Sequence, residues 1–309
     1  MKRNTIIVLG ASGMLGSMIA NCLDCDEEVQ SLVTVRSEYH IAYFRQRLEH
    51  SRVEMLDATH PQFDKLCKLF EHADWIINAI GIIKPYIRDD NALEVERALK
   101  INALFPHLLA KAAQKTGCHI LQIATDCVYS GEKGGYVESD AHDALDAYGK
   151  TKSLGEVNSP FMHHLRCSIV GPEIKSYVSL LEWVIRQEKG ARISGFTNHL
   201  WNGVTTYHFA KICLGVIKNK LSLPHIQHVV PKDALTKDDL LNCFARCYQR
   251  KDIVINPVLA ATEVNRTLGT SNSEMNYRLW GAAGYDRPPS IAEMVAEMAK
   301  FSSSLWRYD

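Results

Sequence analysis

Thr5-Ile-Ile-Val-Leu-Gly10-Ala-Ser-Gly13-Met-Leu-Gly16-Ser-Met-Ile-Ala20 decides the fold. An apolar run ends in glycine and passes directly into a helical pattern, which reads as buried strand, glycine turn and helix. In that order Gly10 permits a tight turn, Gly13 lets a phosphate approach the backbone, and Gly16 lets the helix pack closely on the sheet. Met14 and Leu15 open the helix, where N–H groups at the positive end of its dipole hold a pyrophosphate. Ser12 adds a hydroxyl to the same turn. Glycine also serves ordinary turns; the strand before and the helix after make this one a dinucleotide site.

The same rhythm continues through the first half. Strands are expected at 5–9, 29–35, 53–56, 75–79, 119–124 and 164–167, with helices at 14–23, 39–48, 63–70 and 91–116 between them. Pro106 either kinks the last helix or begins a new one. A further helix should run from Lys152 through Val157 and stop before Pro160. Alternating strands and helices describe an α/β fold, a Rossmann-type doubly wound parallel sheet. Beyond Gly171 the rhythm loosens into helices near 178–188, 205–218, 237–247 and 292–301, with short strands at 192–194 and 225–230. The expected organisation is a nucleotide-binding domain over 1–170 and a smaller α/β substrate-binding region over 171–309, part of which is free to return to the first domain.

Composition narrows the function classes. Of 309 residues, 46% are hydrophobic and 23% charged, the balance of an ordinary globular protein. Lys+Arg and Asp+Glu both number 35, so no net field draws the chain to nucleic acid or anionic lipid. No apolar run approaches the ~20 residues that span a bilayer. Met1-Lys-Arg3 before Ile6–Leu9 mimics a leader, but the stretch is short and runs into the glycine turn, as a buried strand does. Nine cysteines, odd in number and without framework spacing, suit free thiols in a reducing cytoplasm. Cys22/Cys25 and Cys243/Cys247 lack further ligands at metal-site spacing and read as buried small apolar residues rather than a zinc site.

Tyr148-Gly-Lys-Thr-Lys152 places a phenol and an ammonium four residues apart, on one face if the segment is helical. The ammonium favours phenolate and should lower the tyrosine's pKa from about 10 toward a working range. Lys150 points elsewhere. A surface helix with a solvated Lys is the bland alternative. Ile120-Leu-Gln-Ile-Ala-Thr125-Asp126-Cys127-Val128-Tyr129 is a strand whose carboxyl end carries a hydroxyl and a carboxylate, where α/β sheets bind ligands. Thr125 is placed to hydrogen-bond a reacting carbonyl and Asp126 to bind substrate hydroxyls, with Cys127 and Val128 lining the same site. Asn78-Ala79-Ile80-Gly81 ends the fourth strand where backbone passes close to a cofactor. Arg36 and Ser37, at the end of the second strand, suit the extra phosphate of NADP(H), where an acidic residue would mark NAD(H). NADP(H) is therefore favoured and NAD(H) kept open, with a solvated Arg36 as the alternative. Lys84, after the fourth strand, is either a substrate contact or a solvated loop residue.

In this order, GxxGxxG, Asn-Ala-x-Gly, Thr-Asp-x-Val-Tyr-x-Gly and Tyr-x-x-x-Lys resemble the extended short-chain dehydrogenase/reductases. Within that group the chain is most similar to the dTDP-4-dehydrorhamnose reductases and related nucleotide-sugar reductases, closely over about the first 170 residues and loosely beyond. The resemblance implies that Tyr148 protonates the substrate oxygen, Lys152 binds the nicotinamide ribose and tunes the tyrosine, and Thr125 completes a triad. It also implies that Asp57 and Ala58 contact adenine, that Asn102 supports the active site, and that Arg166 lies at the substrate side before the Gly171-Pro172 turn. Residues 195–206 resemble a loop closing over the sugar nucleotide, where Trp201 or His199 stacks on a base or sugar, or Trp201 is simply buried.

Two departures bear on the reaction. Dehydratases of this superfamily carry Asp-Glu after the threonine, whereas this chain has Asp126-Cys127, so elimination lacks its base. Epimerases usually have small residues there. The implied activity is NAD(P)H-dependent reduction of a 4-keto-6-deoxy nucleotide sugar, with an epimerase or other sugar oxidoreductase as alternative. A regulatory subunit of methionine adenosyltransferase resembles the same reductases, so a non-catalytic NADP(H)-binding regulator or sensor is the rival from another class. The resemblance leaves room for a homodimer.

Overall fold

The computed structural model describes residues 3–305. Strands β1 (Asn4–Leu9), β2 (Val29–Val35), β3 (Arg52–Met55), β4 (Trp75–Asn78), β5 (His119–Ala124) and β6 (Met162–Arg166) alternate with helices. These are α1 (Met14–Asp24), α2 (Glu38–Arg45), α3 (Phe63–Phe70), α4 (Ala92–Ala98), α5 (Phe105–Thr116) and α6 (Ala147–Leu154). The later chain adds β7 (Ile169–Val170), α7 (Leu180–Ile185), β8 (Arg192–Phe196), β9 (His199–Trp201), β10 (Val204–Thr205), α8 (Thr206–Lys218) and β11 (Ile226–His228). It closes with β12 (Leu235–Thr236), α9 (Lys237–Cys247), β13 (Val254–Val258), β14 (Val264–Asn265), α10 (Ser273–Ala282) and α11 (Ile291–Leu305).

Seven strands form one sheet in the order β11-β6-β5-β4-β1-β2-β3. Every neighbouring pair is parallel. This is the Rossmann-type arrangement expected from the alternating pattern. Ile6, Ile7, Val8 and Leu9 are all buried, as a strand covered on both faces must be. One face packs under α1 and α8 through Met18, Ile19, Phe209 and Val216. The other packs under α3 and α5 through Leu66, Phe70, Leu109 and Ala113. Residues 226–228 return to the central sheet beside β6.

The long helical stretch at 91–116 is not one rod. Asn91 caps α4 by accepting from the N–H groups of Leu93 and Glu94. A six-residue π segment, Leu99–Leu104, then joins α4 to α5. Pro106 sits in the first turn of α5, where its missing N–H is not needed. The α6 helix ends at Leu154, short of the expected Val157. The residue after it, Gly155, lies so close to the π segment that a Cβ would sit 2.0 Å from the Asn102 carbonyl oxygen. The sequence pattern does not signal α10, because a polar residue interrupts its buried stripe. Asn276 lies among Met275, Leu279 and Trp280, and its side chain both accepts from Val230 N and donates to Val230 O.

All nine cysteines are free; Cys25 is exposed, contrary to the expectation that it is buried, because it follows α1 at the surface. Among the described residues no helix is long and apolar enough to cross a membrane. No group of three or more His, Cys, Asp and Glu among them is arranged to hold a metal ion.

Candidate active site

The glycine turn is built by close approach. Ala11 N donates to Thr34 O at 2.8 Å and Gly10 N to Thr34 Oγ1 at 3.2 Å, which ties the turn to the end of β2. Gly10 has φ +85°, and a Cβ there would lie 2.6 Å from Ile80 Cγ1. A Cβ on Gly16 would lie 2.2 Å from Gly10 O, so only glycine lets α1 pack on the turn. At Gly13 a Cβ would meet nothing nearer than Gly10 O at 3.5 Å, so this glycine leaves backbone open rather than making room for packing. No side chain caps α1, and the N–H groups of its first turn, from Met14 onward, remain available to an anion. The cradle thus fits a dinucleotide pyrophosphate. Arg36 is exposed just past β2, and Ser37 Oγ lies 2.7 Å from His40 Nδ1.

Other residues expected at the cofactor stand behind the cradle. Asn78 is fully buried; its Nδ2 donates to Gln122 Oε1 at 2.7 Å and its Oδ1 accepts from Ile80 N at 3.1 Å. It shapes the turn that presents Ala79, Ile80 and Gly81 and does not itself face a ligand. Asn102 is buried too, with Oδ1 accepting from Ile82 N at 2.8 Å and Nδ2 donating to Ile82 O and Thr151 Oγ1. It ties the loop after β4 to α6, a positioning role. Asp57 is exposed beyond β3, where the Thr59 hydroxyl and N–H hold its carboxyl below the usual range; Ala58 is buried beside it.

The chemical groups converge at the carboxyl ends of β4 and β5. Thr125 is buried, accepts from Cys127 N at 3.2 Å and donates to Asp126 Oδ1 at 3.3 Å, which caps the short helical turn Asp126–Val128. Asp146 caps α6 by accepting from Gly149 N at 2.7 Å. A Cβ at Gly149 would lie 2.4 Å from Cys127 O, so the helix docks flush against the turn after β5. That docking brings Tyr148 to Thr125. Burial pushes the Tyr148 phenol above its ordinary pKa and Cys127 and Asp126 add to the rise, while a hydrogen bond with Thr125 opposes it. The expectation that Lys152 lowers this pKa is corrected here: desolvation outweighs any cation. The lysine itself is pulled down to about 8, chiefly by burial, and its Nζ donates to Ile123 O at 3.1 Å. A Cβ on Gly81 would lie 4.0 Å from that Nζ, so Lys152 faces the turn after β4.

A lysine held below its unfolded pKa destabilises the fold in full below about pH 8, and the deficit is relieved as pH rises from there toward the ordinary lysine value. Lys152→Met is therefore expected to raise the melting temperature near neutral pH, with the advantage shrinking toward alkaline pH. A melting series over pH checks it, and a fall in stability near neutrality would contradict it.

The substrate side departs furthest from expectation. Arg166 is fully buried: Nε donates to Glu156 Oε1 at 3.1 Å, Nη2 to Glu156 Oε2 and to His142 Nε2, and Nη1 to Tyr129 Oη and His228 Nε2, each at 2.7 Å. It locks β6 to β11 and cannot bind substrate. Val128 is buried with Tyr129, Tyr136 and Leu268, a core contact instead of a lining one. Trp201 is 5% exposed and donates from Nε1 to Ser168 Oγ at 2.9 Å, so it stacks on no ligand. Asp126 is buried, and burial raises its pKa against the pull of Arg266 and Lys237. Neither of those two cations lies in a motif that marks it in the sequence. Arg266 Nε donates to Tyr129 O at 2.9 Å, and Lys237 opens α9 with Nζ 5.8 Å above the Trp201 ring. Lys84 joins them from the loop after β4, paired to Asp146 at 2.7 Å and close enough to Cys127 to act on its thiol. A separate cleft of about 1280 Å³ lies at the amino ends of the sheet strands, lined by Trp75, His119, His163 and His225. It is remote from Tyr148 and from the strand ends where such sheets bind ligands.

Residues 4–303 match the family described as RmlD substrate binding domain. The chain belongs to this family. Among relatives of the RmlD family, a dTDP-4-dehydrorhamnose reductase from Aggregatibacter actinomycetemcomitans is 28% identical over 161 residues, 49% of this chain and 45% of that protein. Methionine adenosyltransferase 2 subunit beta from Danio rerio is 29% identical over 164 residues, half of each chain. The chain thus spans about half the length of the curated relatives it matches. A dTDP-4-dehydrorhamnose reductase from Bacillus anthracis, solved in complex with NADP, superposes with TM-score 0.71 at 19% identity, covering 96% of this chain and 99% of that one. That likeness shows the shared fold.

Proposed function

We propose that this RmlD-family chain is an NADPH-dependent reductase of a 4-keto-6-deoxy nucleotide sugar. The observation that carries the reading is the docking of Tyr148 against Thr125 beside the glycine cradle, with the half-buried Lys152 one turn further along α6. NADPH, when bound, supplies the hydride. Tyr148 keeps its proton because burial raises its pKa, which suits a donor to the oxygen of a carbonyl undergoing reduction. Thr125 hydrogen-bonds that oxygen, and the Lys152 ammonium stabilises the phenolate left on Tyr148. Lys84, Lys237 and Arg266 suit the diphosphate of the substrate, and Asp126 a sugar hydroxyl. Cys127 stands where a dehydratase has its glutamate. Its thiol is pushed up to about 12 by burial, stays neutral near pH 7, and is no base for elimination. Arg36 supports NADP(H) over NAD(H), with NAD(H) still admissible, and the free thiols suit the cytoplasm.

The test is nicotinamide oxidation by wild type with dTDP-, UDP- and GDP-linked 4-keto-6-deoxy sugars, each made in place by its dehydratase. One nucleotide sugar should give oxidation with NADPH faster than with NADH. The likeness to the Danio rerio subunit favours a second reading, a non-catalytic regulator. Silence across the panel with NADPH still bound would select it.

A further inference from the structure

The segment between β7 and α7 crosses back over the glycine turn. Lys175 Nζ donates to Ser12 Oγ at 2.8 Å, joining residues 163 positions apart. The backbone that delivers it is unusual: Ser176 and Tyr177, neither of them glycine, have φ of 69° and 52°. L side chains disfavour that region, so the surroundings must hold it. They do. The Arg186 guanidinium stacks 3.5 Å from the Tyr177 ring centre. Glu173 N donates to Glu182 Oε1 at 2.8 Å, and Glu173 Oε2 accepts from Ser179 N at 3.0 Å. Strain kept at a braced segment aims one ammonium at the cofactor turn.

The charges around Lys175 point to a ligand. Its pKa is lowered by burial and by Arg36, with Glu173 opposing, and His40 is lowered by burial and then by Lys175 and Arg36. Among the described residues neither Lys175 nor Arg36 lies within ion-pairing distance of a carboxylate; the carboxylate acting on Lys175, Glu173, is bound to Ser179 N. Two mutually repelling cations, a histidine and the hydroxyls of Ser12 and Ser37 therefore meet past the end of β2. A phosphate monoester relieves that repulsion and accepts from ammonium and guanidinium together, whereas a ribose hydroxyl carries no charge to offset theirs. We infer that Lys175 is the second cation for the 2′-phosphate of NADP and, with Arg36, sets the preference for NADP(H) over NAD(H). The inference rests on the reading of the glycine turn as a nicotinamide-dinucleotide site.

The experiment is calorimetric binding of NADPH, NADH and 2′,5′-ADP to wild type, Lys175→Gln and Lys175→Arg. Lys175→Gln should weaken NADPH and 2′,5′-ADP on the order of tenfold or more and leave NADH within about twofold, which also reports an intact fold. Lys175→Arg should restore most of the loss. Equal weakening of NADPH and NADH by Lys175→Gln, or no change in either, would overturn the inference while leaving the dinucleotide site standing. Failure of wild type to bind any of the three would instead overturn the dinucleotide reading itself.

Discussion

Tyr148→Phe should keep NADPH affinity within about twofold of wild type while turnover falls on the order of 10²–10⁴-fold, the range a positioned general acid contributes. The change removes one hydroxyl and keeps the ring that α6 packs against the turn after β5. In the proposed reaction the phenol adjoining Thr125 is the proton source, and water is a poor substitute for a phenol that burial holds protonated. Thr125 retains its bonds to Cys127 N and Asp126, so the pocket keeps its shape without the hydroxyl. Parallel titration calorimetry and steady-state kinetics check it; turnover near wild type would remove Tyr148 from the mechanism.

Arg166→Met should cost about 3–5 kcal/mol of stability, the loss expected when one partner of a buried ion pair is removed. The residue left behind is Glu156, whose side chain is 6% exposed and whose carboxylate would be stranded beside His142. Tyr129 and His228 would lose their common donor as well. Urea denaturation of the variant checks the magnitude, and replacing Glu156 by Leu in the same chain should recover part of it. A substrate-binding arginine would behave differently, with stability almost unchanged and KM raised. That outcome would contradict the buried network.

How much of this was legible beforehand depended on how local the information is. The glycine turn is a contiguous motif whose chemistry follows from spacing, and Gly10 makes the turn and Gly16 the close packing that the spacing implies. The Tyr148–Lys152 pair is likewise local, and α6 presents it. What sets the tyrosine's pKa is not local, because burial in the folded chain raises it and Cys127 and Asp126, more than twenty residues earlier, add to the rise. Arg166 differs from its expectation for the same reason. The resemblance puts it at the substrate side, but Glu156, His142 and His228 are brought around it by three separate parts of the chain. Lys237 and Arg266 carried no motif; they matter only because β12–α9 and the segment after β14 fold over Asp126. Asn78 and Asn102 are intermediate cases, placed at the right turns and used as braces for backbone.

The central claim is that the chain moves hydride onto a sugar carbonyl, and isotope transfer tests it most directly. NADPH carrying deuterium at the transferable position of the nicotinamide would be incubated with wild type and the 4-keto-6-deoxy nucleotide sugars, and the sugar products read by mass spectrometry. The predicted result is one deuterium on the former carbonyl carbon of one product, formed far more slowly with Tyr148→Phe. Tight NADPH binding with all deuterium retained on the nicotinamide, for every sugar, would contradict the claim and leave a binding protein.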